Sequence, residues 1–500
     1  MKTNELPNNI DELKKIIIEQ RNQIEALNEL LSYFKRKYFG KKSEKVSPGQ
    51  LGLFDEVELE ALEPEPDKQP DIEEDDDETI LIPAHKRKKR GKRLKLADSL
   101  PRVEKIIDIE NKNCLEDGAD LKCIGEEVSE RLEIVPAKVY VLKTIKKKYA
   151  CPICEDIKTA VIEEELLPKT NASASLLAYI SVCKYVDSLP LYRQESIFER
   201  IGVTLCRQTM ARWMIQIGEK IDPLITLLRE ELLKSCCIRM DETKVQVLNE
   251  EGKKAETNSY MWVQARSGAY PIILFHYAKD RSGKNLNFLL DDYHYALQVD
   301  GYDGYARIIL ENGIIRLGCW AHLRRKFYNA FKSSNGKSIG KQGLIFIKKL
   351  YDIEEEIKGK SVEERFYIRL TKSIPIALKF KEWTEEQIKQ TTPNSLAGKA
   401  LHYLVNEWQY LMNCFSNGEY EIDNNYIESH IRPFTIGRKN WLFSVKPEGA
   451  TASANIYSLV ETAKANGLDP FEYLKKVFEK LPQAKTEKDF LELLPIKIQA

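Results

Sequence analysis

The spacing of apolar residues changes along the chain, and each change predicts a different kind of structure. In residues 10–40 the apolar side chains alternate at steps of three and four, interrupted once at Gln20. This period of 3.5 over about four heptads predicts a coiled coil. An amphipathic helix packed on the rest of the protein is the alternative. We rank it second because the following segment offers little apolar surface to pack against.

The next patterned segments predict strands and then helices. Runs in residues 105–165, such as KVYVLKTIKKKYA, alternate at period two and predict short strands. In residues 170–234 the segment LYRQESIFERIG ends at Gly202 and leads to RQTMARWMIQIGEKI, an order typical of a helix-turn-helix. Its second helix would present Arg207, Gln208 and Arg212 to DNA. A helical bundle that leads into the next domain is the alternative.

From residue 236 the apolar runs predict a sheet. The runs CIRMDETKVQVL, SYMWVQAR and YPIILFHYA are separated by short loops, which predicts an antiparallel meander. A helix-compatible stretch, a fourth run (ALQVDGYDGYA), a short helix and a fifth run (IIRLGCWAHLRRKF) follow. Three hairpin strands followed by strand, helix, strand and helix is the order of an RNase H-like fold.

Charge changes the picture in two adjacent segments. The chain has 77 basic and 77 acidic residues, so it lacks the overall basic excess that marks many nucleic-acid binders. Yet positions 55–78 hold fourteen acids, which predicts a linker without a packed core. The following run KRKKRGKRLK (86–95) predicts a phosphate-binding arm, with a solvated charge run as the alternative. The arm begins with Lys86, Arg87, Lys88, Lys89 and Arg90.

The ten cysteines are expected to be thiols or metal ligands, because the N-terminal segment has no apolar signal core. Cys151 and Cys154 form a CxxC knuckle, which is half of a zinc site. Cys114, with either Asp117 or Cys123, would supply the other half. A finger that folds without Zn²⁺ is the alternative. No apolar run reaches the length of a membrane helix, so a cytoplasmic protein is expected.

Two carboxylates interrupt the predicted sheet. Asp241 lies in the middle of the first strand run and Asp300 at the end of the fourth, and these positions are neighbours in the inferred fold. A charge inside a strand is costly unless it is paired or bound to a metal, and oxygen ligands suit a divalent ion. Two-metal chemistry usually needs a third acid. Glu428 is preferred over Asp423, which is placed to cap a helix, and Asp303 is ranked below Asp300.

Other residues near these acids have two interpretations. Three basic residues of the same helical segment are expected to contact phosphates, with a solvated turn as the alternative for the last two: Arg432, Arg438 and Lys439. A GRKNW turn is predicted to bring Arg438 and Lys439 near the same end as Glu428. His322 is interpreted as a structural histidine, with phosphate contact or proton transfer as the alternative.

Seven ordered segments together resemble the insertion-sequence-66 family of bacterial DDE transposases over nearly the whole chain. They are YFGKKSEK (38–45), CPIC (151–154), VCKYVDSLPLYRQESIF (182–198), DETKVQVL (241–248), QVDGYDGY (298–305), GCWAHLRRKF (318–327) and DNNYIESHIRPFTIGRKNWLFS (423–444). The resemblance implies that Asp241, Asp300 and Glu428 are catalytic acids that bind Mg²⁺, two ions per site. It also implies cutting and joining of double-stranded DNA at element ends and targets. The chain departs from the family's first CxxC knuckle at Asp117.

The prediction is therefore a multidomain α+β protein with an RNase H-like α/β catalytic domain split by a helical insertion. Its predicted parts are a coiled coil (1–42), an acidic and basic linker (43–104), a zinc-finger-like module (105–168), a helical DNA-binding region (169–234), the first part of the catalytic core (235–329), the insertion (330–418), the third-acid helix of the core (419–465) and a C-terminal helical tail (466–500). The coiled coil would pair protomers into a homodimer or higher assembly on nucleoid DNA, with helper proteins kept open as partners. A non-catalytic DNA-binding regulator and an RNase H-like nuclease are the rival functions.

Overall fold

The computed structural model describes residues 139–150, 157–159, 164–333 and 338–497, and four separate helical positions between 20 and 31. Most of the predicted coiled coil lies outside these residues. So do the whole predicted linker with its basic arm, and the five candidate zinc ligands. The chain divides into two units, Glu65–Ile145 and the remainder. In the first unit, residues 139–145 are exposed and have no regular secondary structure.

A short hairpin and four helices precede the main sheet. Strands β1 (Lys148–Ala150) and β2 (Ile157–Thr159) pair antiparallel. The helices are α1 (Ala174–Tyr185), α2 (Leu191–Arg200), α3 (Arg207–Lys220) and α4 (Asp222–Leu233). Ser173 caps α1 by accepting the Leu176 N–H, and Gly202 follows α2 with a φ of +82°, a conformation that favours glycine. The predicted helices of residues 170–234 are confirmed.

Five strands form the main sheet in the order β5-β4-β3-β6-β7. The strands are β3 (Cys237–Gln246), β4 (Asn258–Arg266), β5 (Ile272–Ala278), β6 (Ala296–Gln298) and β7 (Ile315–Leu317). The first three pair antiparallel, whereas β6 pairs parallel with β3, and β7 parallel with β6. Helices α5 (Gly283–Leu289) and α6 (Ala306–Glu311) lie before and after β6 along the chain. The predicted meander and the later strand–helix succession are therefore present.

A helix covers the side of edge strand β5 that has no neighbouring strand. Helix α13 (Pro447–Ala465) runs along this edge. Thr462 Oγ1 accepts the Ile273 N–H at 3.0 Å and donates to the Ile273 carbonyl at 2.9 Å. Ser458 Oγ accepts the Phe275 N–H at 2.8 Å one helical turn earlier. These hydroxyls satisfy groups that an open edge would leave free to pair with another chain.

The predicted helical insertion packs a second apolar core beside the sheet. After α7 (Trp320–Ser333), its helices are α8 (Ile339–Glu356), α9 (Val362–Ile368), α10 (Ile374–Ile388) and α11 (Leu396–Asn413), with a π-helical turn at Arg369–Ser373. Trp320, Phe327 and Phe380 lie fully buried in this core, which also includes Ala296 of β6 and Leu317 of β7. The insertion is therefore fastened to the parallel edge of the sheet.

The last helices return to the main core. Helix α12 (Asn425–Trp441) packs on β3, and α13, α14 (Pro470–Lys480) and α15 (Glu487–Glu492) follow it. Tyr457 of α13 and Phe434 of α12 are buried against each other, with ring centroids 5.4 Å apart. No helix in the described part of the chain is both long and apolar enough to cross a bilayer.

Candidate active site

The pairing of β3 with β6 places two of the predicted acids side by side. The parallel ladder ends at the pair Arg239 and Gln298. Asp241 and Asp300 each lie two residues beyond this pair, Asp241 within β3 and Asp300 after the end of β6. The charge of Asp300 contributes to the raised pKa of Asp241, so the two carboxylates lie near each other. Strand β6 ends two residues before Asp300, earlier than predicted, and Asp300 Oδ1 accepts the Tyr302 N–H at 3.0 Å. Asp300 therefore belongs to the turn that follows β6.

Asn424 holds the third predicted acid beside this pair. Its side-chain amide donates to the Met240 carbonyl at 3.1 Å, one residue before Asp241. Its backbone N–H donates to Cys319 Sγ at 3.2 Å, and the residue is only 1% exposed. Glu428 lies in the first turn of the helix that begins here. A single buried amide thus ties the start of α12 to the strand that carries Asp241.

The structure corrects the prediction that Asp423 caps α12. The N-cap position is Asn424, and its side chain makes no capping hydrogen bond. Asp423 lies one residue earlier, where it accepts the Asn425 N–H at 3.0 Å and the Tyr351 hydroxyl at 2.8 Å. The Asp423 carboxylate is therefore already hydrogen-bonded, although Asp423 lies before the N-cap and not at it.

Electrostatics links the three predicted acids. The pKa of Asp241 is raised to about 7, first by burial and then by the charges of Glu242, Asp300 and Glu428. The Glu242 N–H, which donates to Asp241 Oδ1 at 2.8 Å, opposes the rise. Like charges raise each other's pKa values only at short range. Asp241 is therefore a half-buried carboxylate with three other carboxylates nearby.

Sequence reasoning missed a fourth acid and its partners. Glu242 is buried, pairs with Arg281 and accepts the Tyr305 hydroxyl at 3.1 Å. Burial raises its pKa, and the Arg281 charge lowers it. The Arg281 guanidinium also stacks on the Tyr302 ring, whose backbone N–H binds Asp300. Only the position of Glu242 next to Asp241 marked this network in the sequence, because its partners are distant along the chain.

Glu428 has two basic neighbours on α7. Arg325 Nη2 lies 3.2 Å from Glu428 Oε2, and His322 Nε2 lies 3.8 Å from Oε1. Burial, foremost, lowers the pKa of His322, and the nearby Glu428 raises it. His322 Nδ1 is buried without a hydrogen-bond partner among the described residues. The His322 imidazole therefore lies next to a predicted catalytic acid. Its interpretation as a structural histidine did not anticipate this neighbour.

The donor set suits a divalent cation in chemical type. Carboxylate oxygens are the ligands that Mg²⁺ prefers. Burial first, and then the charges of neighbouring acids, raise the pKa of Asp241, and a bound cation would offset those charges. Among the described residues, no three His, Cys, Asp or Glu side chains converge as closely as a preassembled metal site requires. The three acids are therefore near one another without converging on one point, and Glu428 pairs with Arg325.

The predicted DNA-binding residues of α3 and α12 lie in different places. Arg207, Gln208 and Arg212 are exposed in the first half of α3. Arg432 is exposed one turn after Glu428. The predicted GRKNW turn is wrong, because these residues form the end of α12. Arg438 and Lys439 are consequently about 15 Å from Glu428 along the helix axis rather than at the same end.

The Arg438 guanidinium is already bound to another residue of the protein, unlike an exposed arginine that is open to a phosphate. Its Nη1 donates to Thr243 Oγ1 at 2.9 Å and the residue is half-buried, whereas Lys439 is exposed. Arg438 therefore connects the far end of α12 to β3. The arm residues 86–90 and the candidate zinc ligands lie outside the described part of the chain.

A family model described as "Transposase IS66 family" matches residues 169–452, more than half of the chain and the whole of the sheet with its acids. The chain belongs to the IS66 transposase family. The resemblance inferred from the seven motifs is confirmed, and a transposase is the class of protein that the match supports.

Three further models match other segments of the chain. The "IS66 C-terminal element" matches residues 458–496, and the "zinc-finger binding domain of transposase IS66" matches residues 111–155. The model "Transposase C of IS166 homeodomain" matches residues 26–104. The zinc-finger and DNA-binding character of the N-terminal third is thereby supported at the level of the family.

Relatives in Sinorhizobium fredii match over most of their length. The uncharacterized protein y4qI is 30% identical over 97% of this chain and 90% of its own. The uncharacterized protein y4jD is 29% identical over 98% of this chain and 96% of its own. The uncharacterized protein y4hP is 26% identical over 82% of this chain and 77% of its own. The similarity therefore covers the full arrangement of segments.

Proposed function

We propose that this transposase cuts and joins DNA strands at the ends of a mobile element by metal-assisted phosphoryl transfer at Asp241, Asp300 and Glu428. The observation that carries the proposal is the grouping of the three acids. Asp241 lies within β3, Asp300 just after β6 and Glu428 in the first turn of α12. Burial and Glu242, and then the charges of Asp300 and Glu428, raise the pKa of Asp241. The strand order β5-β4-β3-β6-β7 supports an RNase H-like domain as the scaffold. Its parallel pair brings the first two acids together.

The three carboxylates would hold Mg²⁺, two ions per site, which would activate a water and stabilise the leaving 3′ oxygen. Asn424 keeps Glu428 near Asp241 through its bond to Met240. Arg281 pairs with Glu242 and partly offsets the charge of this acid beside Asp241. Arg325, which is half exposed, is expected to turn from Glu428 to a DNA phosphate when the acid binds an ion. No covalent protein–DNA bond is needed, so no Ser or Tyr nucleophile is assigned.

The proposal assigns DNA binding to several segments. The exposed Arg207, Gln208 and Arg212 begin α3, the second helix of the proposed helix-turn-helix. A helix start that carries cations suits the sugar–phosphate backbone and the major groove. The basic arm at 86–90, a zinc-bound finger and a coiled-coil dimer complete the assembly, which would act on nucleoid DNA with or without helper proteins.

Two other functions make different predictions. A DNA-binding regulator has no use for Asp241 in a strand, where burial disfavours its charge. An RNase H-like nuclease would act on RNA–DNA hybrids and would release products without joining them. Strand joining is therefore the activity that separates the proposal from both.

The test measures cleavage and strand transfer of a labelled duplex that carries the element's end, with and without Mg²⁺. The wild-type protein is compared with Glu428→Gln and with the control Glu448→Gln. Glu448 also lies in the first turn of a helix, α13, and is exposed. We expect both reactions to require Mg²⁺, to persist in Glu448→Gln and to be lost in Glu428→Gln.

Three outcomes would contradict parts of this assignment. Strand transfer by Glu428→Gln at the wild-type rate would remove Glu428 from the site. Specific binding of the duplex with no cleavage by the wild-type protein would favour the regulator. Cleavage of an RNA–DNA hybrid without any joining of DNA would favour the nuclease.

A further inference from the structure

The chain makes a strained turn directly after α12. Leu442 has a φ of +70° and a ψ of −51°, and the Phe443 N–H donates to the Trp441 carbonyl at 2.9 Å. A hydrogen bond from residue i+2 to residue i with these angles defines the γ-turn of positive φ, which is rare and strained. A branched residue such as Leu disfavours a positive φ, where glycine is the ordinary choice. Strain of this kind persists only where the surroundings enforce it.

Packing fixes the residue before the turn. The Trp441 ring packs against Tyr457, with centroids 6.2 Å apart, and Lys184 Nζ lies 4.2 Å from the Trp441 ring centroid. Gly437 leaves room for this ring, because a Cβ there would lie 2.0 Å from a Trp441 ring carbon. These contacts hold the Trp441 ring next to Leu442.

Backbone pairing fixes the residues after the turn. The Ser444 N–H donates to the Gln246 carbonyl at 2.9 Å, and its carbonyl accepts the Leu248 N–H at 3.0 Å. The Val445 carbonyl accepts the Asn249 N–H at 2.8 Å. The segment thus pairs in parallel with the end of β3 and the residues that follow it. Leu442 and Phe443 are held between two anchored residues.

The turn presents apolar side chains to solvent. Leu442 is 61% exposed, Phe443 is 40% exposed and Val445 is 54% exposed. The exposed Lys439 and Lys446 flank this patch, and Glu448 is the exposed acid that follows. An apolar tip between two cations suits an occupant that offers both stacked apolar faces and phosphates, which is the surface of DNA.

We propose that Leu442 and Phe443 insert against the bases of the element-end duplex and unstack one base step, while Lys439 and Lys446 contact the phosphates on either side. Apolar side chains that enter between base pairs open the step and kink the duplex. The proposal rests on the proposed function, because it takes element-end DNA as the ligand. Fourteen residues of helical rise separate Leu442 from Glu428, about 21 Å, so the opened step would lie within about six base pairs of the cut.

The test maps unstacked thymines with permanganate on element-end duplexes that carry thymine at each terminal position in turn. Mg²⁺ is omitted so that the DNA stays intact. The wild-type protein is compared with Leu442→Ala, Phe443→Ala and Leu442→Gly, and with the control Leu378→Ala. Leu378 is a 47% exposed residue of α10, away from the turn.

We expect the wild-type protein and Leu378→Ala to make one thymine reactive at the predicted distance from the cut. In Leu442→Ala and Phe443→Ala the reactivity should fall to that of free duplex. Leu442→Gly separates the side chain from the strain, because glycine accepts the positive φ. It should fold at least as stably as the wild-type protein and still lose the reactivity.

Each remaining outcome has a defined meaning. Wild-type protein that binds and cuts the duplex without any reactive thymine would overturn this inference and leave the proposed function standing. Unchanged reactivity in all three turn variants would do the same. If those variants instead change the oligomeric state in sedimentation and leave the reactivity intact, the patch is a contact between copies and the inference is wrong. Failure of the wild-type protein both to bind and to cut the duplex would overturn the proposed function together with the inference.

Discussion

Replacing Asp241 by Asn removes a carboxylate that the folded protein disfavours as an anion. Burial, together with the charges of Glu242, Asp300 and Glu428, raises its pKa from 3.8 to about 7. Since the folded state holds the proton more tightly than the unfolded chain, stability falls as pH rises between these two values and is constant above the higher one. We therefore expect Asp241→Asn to stabilise the protein above pH 7 while it abolishes DNA cleavage.

The size of the effect follows from the two pKa values. At 1.36 kcal/mol per pKa unit, the rise from 3.8 to about 7 corresponds to at most about 4 kcal/mol. Unfolding entropy is about 2.1 cal/mol/K per residue, so a cooperative unit of roughly 300 residues gains about 1.5 °C per kcal/mol. The melting temperature of Asp241→Asn should thus exceed that of the wild-type protein by at most about 6 °C above pH 7. The gain should shrink toward zero near pH 4.

Scanning calorimetry at about pH 5 and about pH 8, with and without Mg²⁺, measures this difference. Mg²⁺ should raise the melting temperature of the wild-type protein at the higher pH and have a smaller effect on Asp241→Asn. Asp292→Asn, at an exposed acid, is the control. An equal gain for Asp241→Asn at both pH values, or equal stabilisation of both proteins by Mg²⁺, would refute the reasoning.

Three further substitutions test a contact at the site, the covered edge of the sheet and the proposed DNA-binding helix. Asn424→Ala leaves the buried Met240 carbonyl without its partner and should cost about 1–3 kcal/mol in calorimetry or urea unfolding, with a larger loss of cleavage rate. Thr462→Val keeps the side-chain shape but leaves the edge-strand N–H and carbonyl of Ile273 unpaired, so unfolding should show a similar loss while cleavage at saturating DNA is unchanged. Arg212→Ala should weaken binding of the element end and lower the salt dependence by about one counterion in a filter-binding titration. Wild-type behaviour in any of these assays would remove the corresponding contact from its assigned role.

The periodic parts of the fold were predictable from the sequence. The meander of β3, β4 and β5 and the strand–helix succession after it follow from runs of apolar residues, whose spacing reports burial directly. The helices of residues 170–234 and of the insertion follow for the same reason. The positions of Asp241 and Asp300 next to each other then follow from the parallel pairing of their strands.

The end of α12 shows what local patterns could not give. Gly437 is typical of a turn, yet it lies inside α12. The Trp441 ring occupies the space that a Cβ at this position would need, which explains the glycine. That requirement depends on tertiary packing against Tyr457, which is distant from the local window. The same limit explains the missed pair of Glu428 with Arg325, whose positions differ by 103 residues. No local pattern in the sequence indicates a contact between residues so far apart along the chain.

Helix α12 carries Glu428 near its start and leads into the strained turn at its end. Both ends of the helix are tied to one strand. Asn424 ties its start to Met240, Arg438 ties its last turn to Thr243, and Ser444 ties the segment beyond it to Gln246. All three partners belong to β3, the strand that carries Asp241. A force that DNA exerts at the turn therefore acts on the same rigid pair of elements that sets the distance between Asp241 and Glu428. Because the helix and the strand are anchored to each other at both ends, the opened base step and the scissile phosphate are expected to be held at a fixed separation.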